Sequence, residues 1–183
     1  DEFQHLLLSS TVGVPNSQIR QLLSEKGVLD GTEQDFIDAT KQYNVNEAYL
    51  LAHALLETGH GTSQLASGVE VGENSNGNPV LVTSSNKNNL RNIKRVYNMF
   101  GINAVDSNPL RGGAIHAYNQ GWDTPRKAIF GGAKFISERY IHNSNNQDTL
   151  YKMRWNPANP GFPQYATDMG WAAKQVSHIK SVY

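Results

Sequence analysis

Two polar side chains interrupt a long apolar stretch, and their spacing makes them the first candidates for chemistry. His53 and Glu57 are four residues apart, which places both on one face of a helix. Glu57 falls in the last predicted turn, where the helix dipole disfavours an anion and apolar neighbours would desolvate a carboxylate. Both effects raise a carboxyl pKa, as a general acid acting near neutral pH requires.

Each side chain also has a purely structural interpretation. Glu57 can instead be a structural carboxylate at a helix end that is turned outward to water, since structural carboxylates also show perturbed pKa values. A lone histidine such as His53 on an apolar face is typical of a hydrogen-bonded buried residue. A metal site built on His53 and Glu57 needs a third ligand, and the sequence has no HExxH-type pattern. We therefore predict neither a metal nor another cofactor.

The helix that must position these side chains is apolar nearly all round. From Asn46 to Leu65 the sequence reads NEAYLLAHALLETGHGTSQL, and a helix with so little polar surface belongs inside a domain. Asn46 is a good N-cap, and Gly59 stands where a left-handed residue would end the helix. The run of residues 59–61 lets another molecule approach the backbone closely.

Length and composition indicate one globular domain. The chain has 183 residues, 38% of them hydrophobic and 17% charged, and no cysteine. No apolar run approaches the roughly 20 residues that a membrane-spanning helix needs. Residues 1–3 are not the basic start of a signal peptide, so an exported protein would be represented here by a mature or excised piece.

Charge is unevenly distributed along the chain. Residues 1–89 carry 4 Lys/Arg and 11 Asp/Glu, a net charge of −7, whereas residues 90–183 carry 12 and 5, a net charge of +7. Either two halves of one fold neutralise each other, or a groove between them has an acidic and a basic wall. A nucleic-acid-binding domain would be net basic, so we predict no nucleic-acid partner.

The remaining pattern predicts a mainly helical α+β domain. Residues 1–14 are predicted as a loosely attached N-terminal arm, and residues 15–183 as a single domain. Residues 68–97 are predicted as a small two- or three-stranded lobe, with Asn-Gly at 76–77 as its hairpin turn. Besides the central helix and a short turn capped at 62–63, helices are predicted at 16–26, 32–43, 109–121, 124–140, 149–154 and 168–182.

Three short blocks resemble the signature of one enzyme family. They are AHALLETGHGTSQLA at 52–66, YNMFGI at 97–102 and QYATD at 164–168. The blocks resemble glycoside hydrolase family 73, the bacterial N-acetylglucosaminidases that cleave peptidoglycan, and most closely the glucosaminidase domains of staphylococcal autolysins. One block alone is weak, but three in this order and spacing are specific. The resemblance extends from about Phe36 to the C-terminus.

The resemblance implies both a fold and a reaction. The fold is a lysozyme-like α+β body in which a small β-hairpin lobe forms one wall of a cleft. The reaction is hydrolysis of the β-1,4 bond between N-acetylglucosamine and N-acetylmuramic acid. Glu57 takes the position of the family's catalytic acid and Tyr165 that of its active-site tyrosine, while Asn98, Phe100 and Gly101 take positions that line the sugar groove.

Sugar recognition uses flat apolar faces beside amide and hydroxyl groups, and several residues offer them. The predicted substrate-binding residues are His60, Gln64, Asn98, Phe100, Gly101, Trp155 and Gln164. The alternative is that the aromatic residues among them are core anchors. For Trp122 and Trp171, which flank predicted helices, we favour that alternative.

A second catalytic group is harder to place. Glycoside cleavage needs an acid on the leaving oxygen and a second group on the other face of an oxocarbenium-like transition state. Glu70 and Glu73 are the only acidic residues between positions 58 and 105, and they lie in or beside a hairpin whose tip we expect to be mobile. The substrate's own 2-acetamido group arrives already attached to the reacting sugar. We favour that group, with retention of configuration.

The predicted function is that of a secreted peptidoglycan hydrolase of the bacterial cell wall. Its partners would be the glycan strands and other domains of a larger protein. Two alternatives stay open: a lytic transglycosylase, which shares the fold and single glutamate but leaves a 1,6-anhydro sugar, and a non-catalytic wall-binding module. Retention of Glu57 at a helix end costs stability, which counts against the binding module.

Overall fold

The computed structural model describes residues 2–105, 107–160, 162–166, 168 and 170–182. Its elements, in chain order, are α1 (Asn16–Leu23), α2 (Glu33–Tyr43), α3 (Glu47–Glu57), α4 (Gln64–Ser67), β1 (Val69–Glu73), β2 (Pro79–Leu81), β3 (Arg91–Val96), α5 (Pro109–Gln120), α6 (Pro125–Ile136), α7 (Leu150–Trp155) and α8 (Trp171–Lys180). The prediction of a mainly helical α+β fold is confirmed.

Helix α3 is the buried element around which the others pack. Every residue from Glu47 to Leu55 is buried, as the nearly continuous apolar sequence predicts. Asn46 caps the helix as predicted, because its Oδ1 accepts a hydrogen bond from the Tyr49 N–H at 3.1 Å. The helix contacts α2 on one side and α8 on another. Its last residue is Glu57.

The loop after Glu57 is held in place by backbone contacts. Gly59, His60 and Gly61 are all left-handed, with φ of 54°, 58° and 81°. A side chain at Gly61 would collide with the backbone carbonyl of Lys26, and the Gly61 carbonyl accepts a hydrogen bond from Val28 N–H at 3.2 Å. Only glycine fits this close approach, so the direction in which the chain leaves α3 is fixed.

Several helix boundaries differ from the prediction. Helix α1 stops at Leu23 rather than Lys26, and Glu25 is left-handed with φ of 60°, because the chain must turn there to reach Gly61. Helix α6 is α-helical only to Ile136 and continues as one π-helical turn over Ser137–Ile141. Helix α8 begins at Trp171, three residues later than predicted.

The β-lobe is a three-stranded antiparallel sheet with the order β2-β1-β3. Val71 faces Leu81 on one side and Lys94 on the other, and the register shifts between Val71 and Glu73. The predicted hairpin joins β1 to β2, and the Asn74 side chain organises its tip by accepting from the backbone N–H groups of Asn76 and Asn78, both at 3.0 Å. The sheet packs against α5.

The N-terminal segment is packed against the helical body rather than loosely attached. Leu8 is fully buried, its N–H donates to the Asp148 carbonyl at 2.8 Å, and its carbonyl accepts from Asn46 N–H at 2.9 Å. The buried carboxylate of Glu47, at the start of α3, accepts from the N–H groups of Val12 at 2.8 Å and Val14 at 2.9 Å. Among the described residues, none of the helices is both long and apolar enough to traverse a bilayer.

Candidate active site

A cavity of about 600 Å³ opens at the C-terminal end of α3. Its wall comes from five parts of the fold: residues 56–57 of α3, the loop 100–105, three residues along α6 and its π-helical turn (Phe135, Arg139 and Tyr140), residues 164–166 and 168, and Trp171 and Lys174 of α8. Glu57, Tyr165 and Trp171 meet on one side of this cavity. No residue of the β-sheet is among its described lining residues.

Glu57 is the acidic group best placed for proton transfer. Its side chain is 27% exposed, its Oε1 accepts a hydrogen bond from Trp171 Nε1 at 3.3 Å, and the same oxygen lies 3.7 Å from His53 Nε2. Burial raises the pKa of Glu57, and the Trp171 N–H offsets part of that rise. The predicted raised carboxyl pKa is confirmed, so the group can stay protonated at higher pH than an ordinary glutamate.

His53 is the buried, hydrogen-bonded histidine that the structural interpretation described. It is fully buried, and its Nδ1 lies 2.8 Å from the Tyr49 hydroxyl. Burial lowers the pKa of His53 to about 3, so the ring is neutral at physiological pH. Among the described residues, no group of three His, Asp or Glu side chains is arranged to hold a metal ion.

Tyr165 forms the wall of the cavity next to Glu57. Its hydroxyl donates to the Phe100 carbonyl at 3.0 Å, and its ring packs edge-on against His53 and Tyr140, with centroid distances of 4.8 Å and 5.0 Å. Burial raises the pKa of the Tyr165 hydroxyl well above its usual value, so the group stays protonated. The structure therefore brings together the two residues predicted to be catalytic.

The side chains of Asn98 and Phe100 are buried beneath the loop that carries Gly101 and support it from the protein interior. Asn98 is buried, and its side chain donates to the carbonyls of Ile102 at 2.8 Å and Gly113 at 3.2 Å while accepting from two backbone N–H groups of the same turn. The Phe100 side chain is fully buried and packs edge-on against His53. Both residues fix the loop that carries Gly101, and neither presents a side chain to solvent.

Gly101 lies directly against the acid. Its φ is +64°, and a Cβ at this position would come within 2.8 Å of Glu57 Oε2. Only glycine combines this backbone conformation with so close an approach. The oxygen Oε2 therefore stays accessible from the cavity.

Besides Asn98, three of the predicted substrate-binding residues do not line the cavity. His60 is exposed with its ring 5.8 Å from that of His178, and Gln64 is the first residue of α4. Trp155 is 41% exposed and stacks on the Arg154 guanidinium at 4.2 Å. Gln164, by contrast, lines the cavity beside Tyr165.

The two predicted second carboxylates are also elsewhere. Glu70 lies opposite Arg95 in the sheet, and Glu73 accepts hydrogen bonds from Asn92 Nδ2 at 3.0 Å and from the Tyr118 hydroxyl at 3.3 Å. Neither lines the cavity in the described part of the chain. The sequence pointed to these two residues of the β-lobe because they are the first acidic residues after Glu57 along the chain.

Two cavity residues were missed as functional candidates. Asp168 lines the cavity, where Lys174 Nζ lies 2.6 Å from its Oδ2 and holds the pKa of that carboxyl below its usual value. Trp171 is only 4% exposed, as expected of a core anchor, but its N–H reaches Glu57. The usable signals were the QYATD block for Asp168, and for Trp171 the need of a buried indole N–H for an acceptor.

Comparison with known proteins identifies the family of this chain. Residues 33–183 match the glucosaminidase family, described as mannosyl-glycoprotein endo-beta-N-acetylglucosaminidase. The chain belongs to this family. The predicted membership in glycoside hydrolase family 73 is thereby confirmed.

Relatives of this glucosaminidase domain occur in Bacillus subtilis and Staphylococcus aureus. It is 51% identical over 183 residues to the beta-N-acetylglucosaminidase of Bacillus subtilis (strain 168), covering 99% of this chain and 18% of that protein. It is 47% identical over 182 residues to the bifunctional autolysin of Staphylococcus aureus (strain Mu50 / ATCC 700699), covering 100% of this chain and 14% of that protein. The glucosaminidase domain thus spans less than a fifth of the length of either relative.

One of the similar solved structures holds a disaccharide. It is a catalytic mutant of S. aureus autolysin E, with a glutamate replaced by alanine, in complex with the disaccharide NAG-NAM. The glucosaminidase domain is 39% identical to it, with a TM-score of 0.78 and coverage of 99% of this chain and 72% of that one. The mainly helical fold with a small antiparallel sheet is that of the autolysin glucosaminidases.

Proposed function

We propose that this glucosaminidase domain is an endo-acting hydrolase of the β-1,4 bond between N-acetylglucosamine and N-acetylmuramic acid in bacterial wall glycan. The observation that carries the proposal is Glu57, a partly desolvated carboxyl group whose Oε2 faces an open cavity. The disaccharide bound to mutant autolysin E supports the choice of substrate. The autolysin relatives support a secreted location at the cell wall, within a larger protein.

We also propose that the cleft extends beyond the described cavity, with a lysozyme-like body on one side and the β-lobe as its second wall. Strand β3 leads directly into the turn at 97–102 that sets Gly101 against Glu57, and Val96 at its end pairs with Val69 at the start of β1. The base of the sheet therefore adjoins the site. Residues 15–183 would form the catalytic domain, with residues 1–14 as the N-terminal arm, whose described part packs on it.

In the proposed reaction, the proton of Glu57 moves to the glycosidic oxygen while the bond from that oxygen to the anomeric carbon breaks. The oxygen of the substrate's 2-acetamido group attacks the anomeric carbon and forms a cyclic oxazolinium ion. Water then opens this ring with Glu57 as the base, so the acid is regenerated and the configuration retained. Asp168 is a poor alternative base because Lys174 holds its carboxylate and lowers its pKa.

Digestion of purified peptidoglycan tests the function and the stereochemistry together. We expect N-acetylglucosamine at the new reducing ends, seen by mass spectrometry, and retained anomeric configuration in the first NMR spectra. A 1,6-anhydro product would instead identify a transglycosylase, and sedimentation on wall without cleavage would identify a binding module.

Glu70→Gln and Glu73→Gln are expected to keep most of the hydrolytic rate, because neither side chain lines the cavity. The measurement is the initial rate of reducing-end release from the same peptidoglycan. A loss of about 100-fold or more in either variant, the scale expected for a general base, would establish a two-carboxylate mechanism. Inverted product in the NMR spectra would do the same.

Tyr165 is expected to contribute position and hydrogen bonding rather than the proton. Tyr165→Phe removes the hydroxyl that donates to the Phe100 carbonyl and should lower kcat by about 10-fold, the scale of one hydrogen bond. Tyr165→Ala also removes the ring that packs on His53 and Tyr140, and it should lower kcat further. Kinetics of the two folded variants would place Tyr165 in the core alone if both matched the unsubstituted protein.

A further inference from the structure

Two N–H groups converge on one oxygen of Glu57. Trp171 Nε1 donates to Oε1 at 3.3 Å, and His53 Nε2 lies 3.7 Å from the same oxygen. His53 Nε2 is buried and has no hydrogen-bond partner among the described residues. The nearest group that could satisfy it is therefore the carboxyl group of Glu57. Contacts of this kind are often long in a resting site and tighten in the reacting complex.

The partner of the other ring nitrogen fixes which nitrogen of His53 carries the proton. The Tyr49 hydroxyl lies 2.8 Å from Nδ1, and its only other neighbour of this kind among the described residues is the Met153 sulfur at 3.5 Å. A thioether is a weak acceptor and an imidazole nitrogen a good one, so the hydroxyl donates to Nδ1. The hydrogen of the neutral ring then lies on Nε2 and points towards Glu57. Edge-on rings of Phe100 and Tyr165, with centroids 5.5 Å and 4.8 Å from that of His53, hold its orientation.

The two oxygens of Glu57 are consequently not equivalent. A proton on Oε1 would point at the hydrogens of Trp171 and His53, whereas Oε2 lies beside Gly101 and the open cavity. We propose that His53 is a positioning residue, which together with Trp171 makes Oε1 the carbonyl oxygen of the protonated acid and leaves Oε2 to deliver the proton. This inference rests on the proposed function, since it specifies the acid step of that reaction.

The arrangement of the two N–H groups acts both before and during the proton transfer. Before transfer, it keeps the O–H of Glu57 directed into the cavity. During transfer the proton leaves Oε2 for the glycosidic oxygen, which takes the electron pair of the breaking bond, and the carboxylate left behind spreads its charge onto Oε1. The two N–H groups stabilise that charge where it develops. His53 itself stays neutral, because burial keeps its pKa near 3, and so it does not compete for the proton.

Two amide substitutions separate this role from packing. In His53→Gln the side-chain N–H reaches about as far as Nε2 and can still face Glu57, whereas in His53→Asn it reaches only the position of Nδ1. We expect His53→Gln to retain kcat within about 3-fold and His53→Asn to lose about 10-fold or more, the scale of one hydrogen bond to a charged group, with KM little changed. Trp171→Phe, which keeps the ring and removes the N–H, should resemble His53→Asn.

Two kinds of result, one kinetic and one from NMR, would overturn this inference. Equal losses in the Gln and Asn variants, or no loss in either, would reduce His53 to a packing residue, provided that circular dichroism shows both folded. Nitrogen-15 NMR of the histidine rings gives an answer independent of activity: we expect His53 as the neutral Nε2–H form from pH 8 to pH 5. Finding the Nδ1–H form would overturn the inference while leaving Glu57 as the acid. Failure of the proposed function itself would appear differently, as an active Glu57→Gln, a 1,6-anhydro product, or wall binding without cleavage.

Discussion

Glu57→Gln is expected to lower the rate of wall hydrolysis by at least about 100-fold while glycan binding survives. Glutamine keeps the shape of the side chain and can still accept the Trp171 N–H, but it has no proton to give to the glycosidic oxygen. Loss of a general acid typically costs a factor of about 100 to 10,000. Turbidity of a peptidoglycan suspension measures the rate, and co-sedimentation measures the binding.

The same variant should be more stable than the unsubstituted protein at neutral pH. Burial raises the pKa of Glu57 in the folded state above its ordinary value of 4.5, so ionisation of this group destabilises the fold as the pH rises from 4.5 through the folded-state pKa. Replacement by a neutral amide removes that penalty. Thermal unfolding should therefore show a Tm difference that is present at pH 8 and vanishes towards pH 4. Near-normal lysis by a folded Glu57→Gln would refute the assignment.

Gly101→Ala is expected to have the second-largest effect, a loss of about 100-fold in kcat. The new methyl group would approach to within 2.8 Å of Oε2, covering the oxygen that we assign as the proton donor. The expected loss is that of a general acid whose proton is no longer accessible. Substrate contacts elsewhere in the cavity are left in place.

Gly121→Ala is the matched control for this substitution. Gly121 has φ of +74°, similar to the +64° of Gly101, but a Cβ there has nothing within 4 Å. Both variants should lose about 1 kcal/mol of unfolding free energy from backbone strain. Only Gly101→Ala should lose activity. Equal activity in the two, measured on peptidoglycan well below the Tm of each, would show that access to Oε2 is not limiting.

Local signals in the sequence predicted the secondary structure well. Asn46, Ser63 and Asn108 accept backbone N–H groups at the starts of α3, α4 and α5, and each stands directly before its helix in the sequence. Such caps depend on a few neighbouring residues. Where α1 ends depends instead on Gly61, more than 30 positions away, and no local pattern contains that contact.

The same difference between local signals and long-range contacts explains which residues of the candidate site the sequence could predict. Glu57 was predicted from its own helix, because the dipole and the apolar neighbours that raise its pKa are local. Asp168 and Trp171 lie more than 100 residues further along the chain and reach the cavity of Glu57 only in the fold. The β-lobe carboxylates Glu70 and Glu73 were considered as second catalytic groups because they follow Glu57 closely in sequence, which says little about distance across a folded domain.

The hydrogen bonds between Glu47 and the N-terminal segment limit how far the protein can be shortened. The sequence pattern predicts a domain boundary at residue 15. A fragment that begins there would lack Leu8 and the N–H groups of Val12, Gly13 and Val14. The Glu47 carboxylate would then be left with fewer donors, and uncompensated buried charge is strongly destabilising. Because Glu47 and Glu57 are the two ends of one helix, we expect such trimming to disturb the end that carries Glu57, ten residues away. We therefore expect the smallest autonomous unit to include the segment before α1.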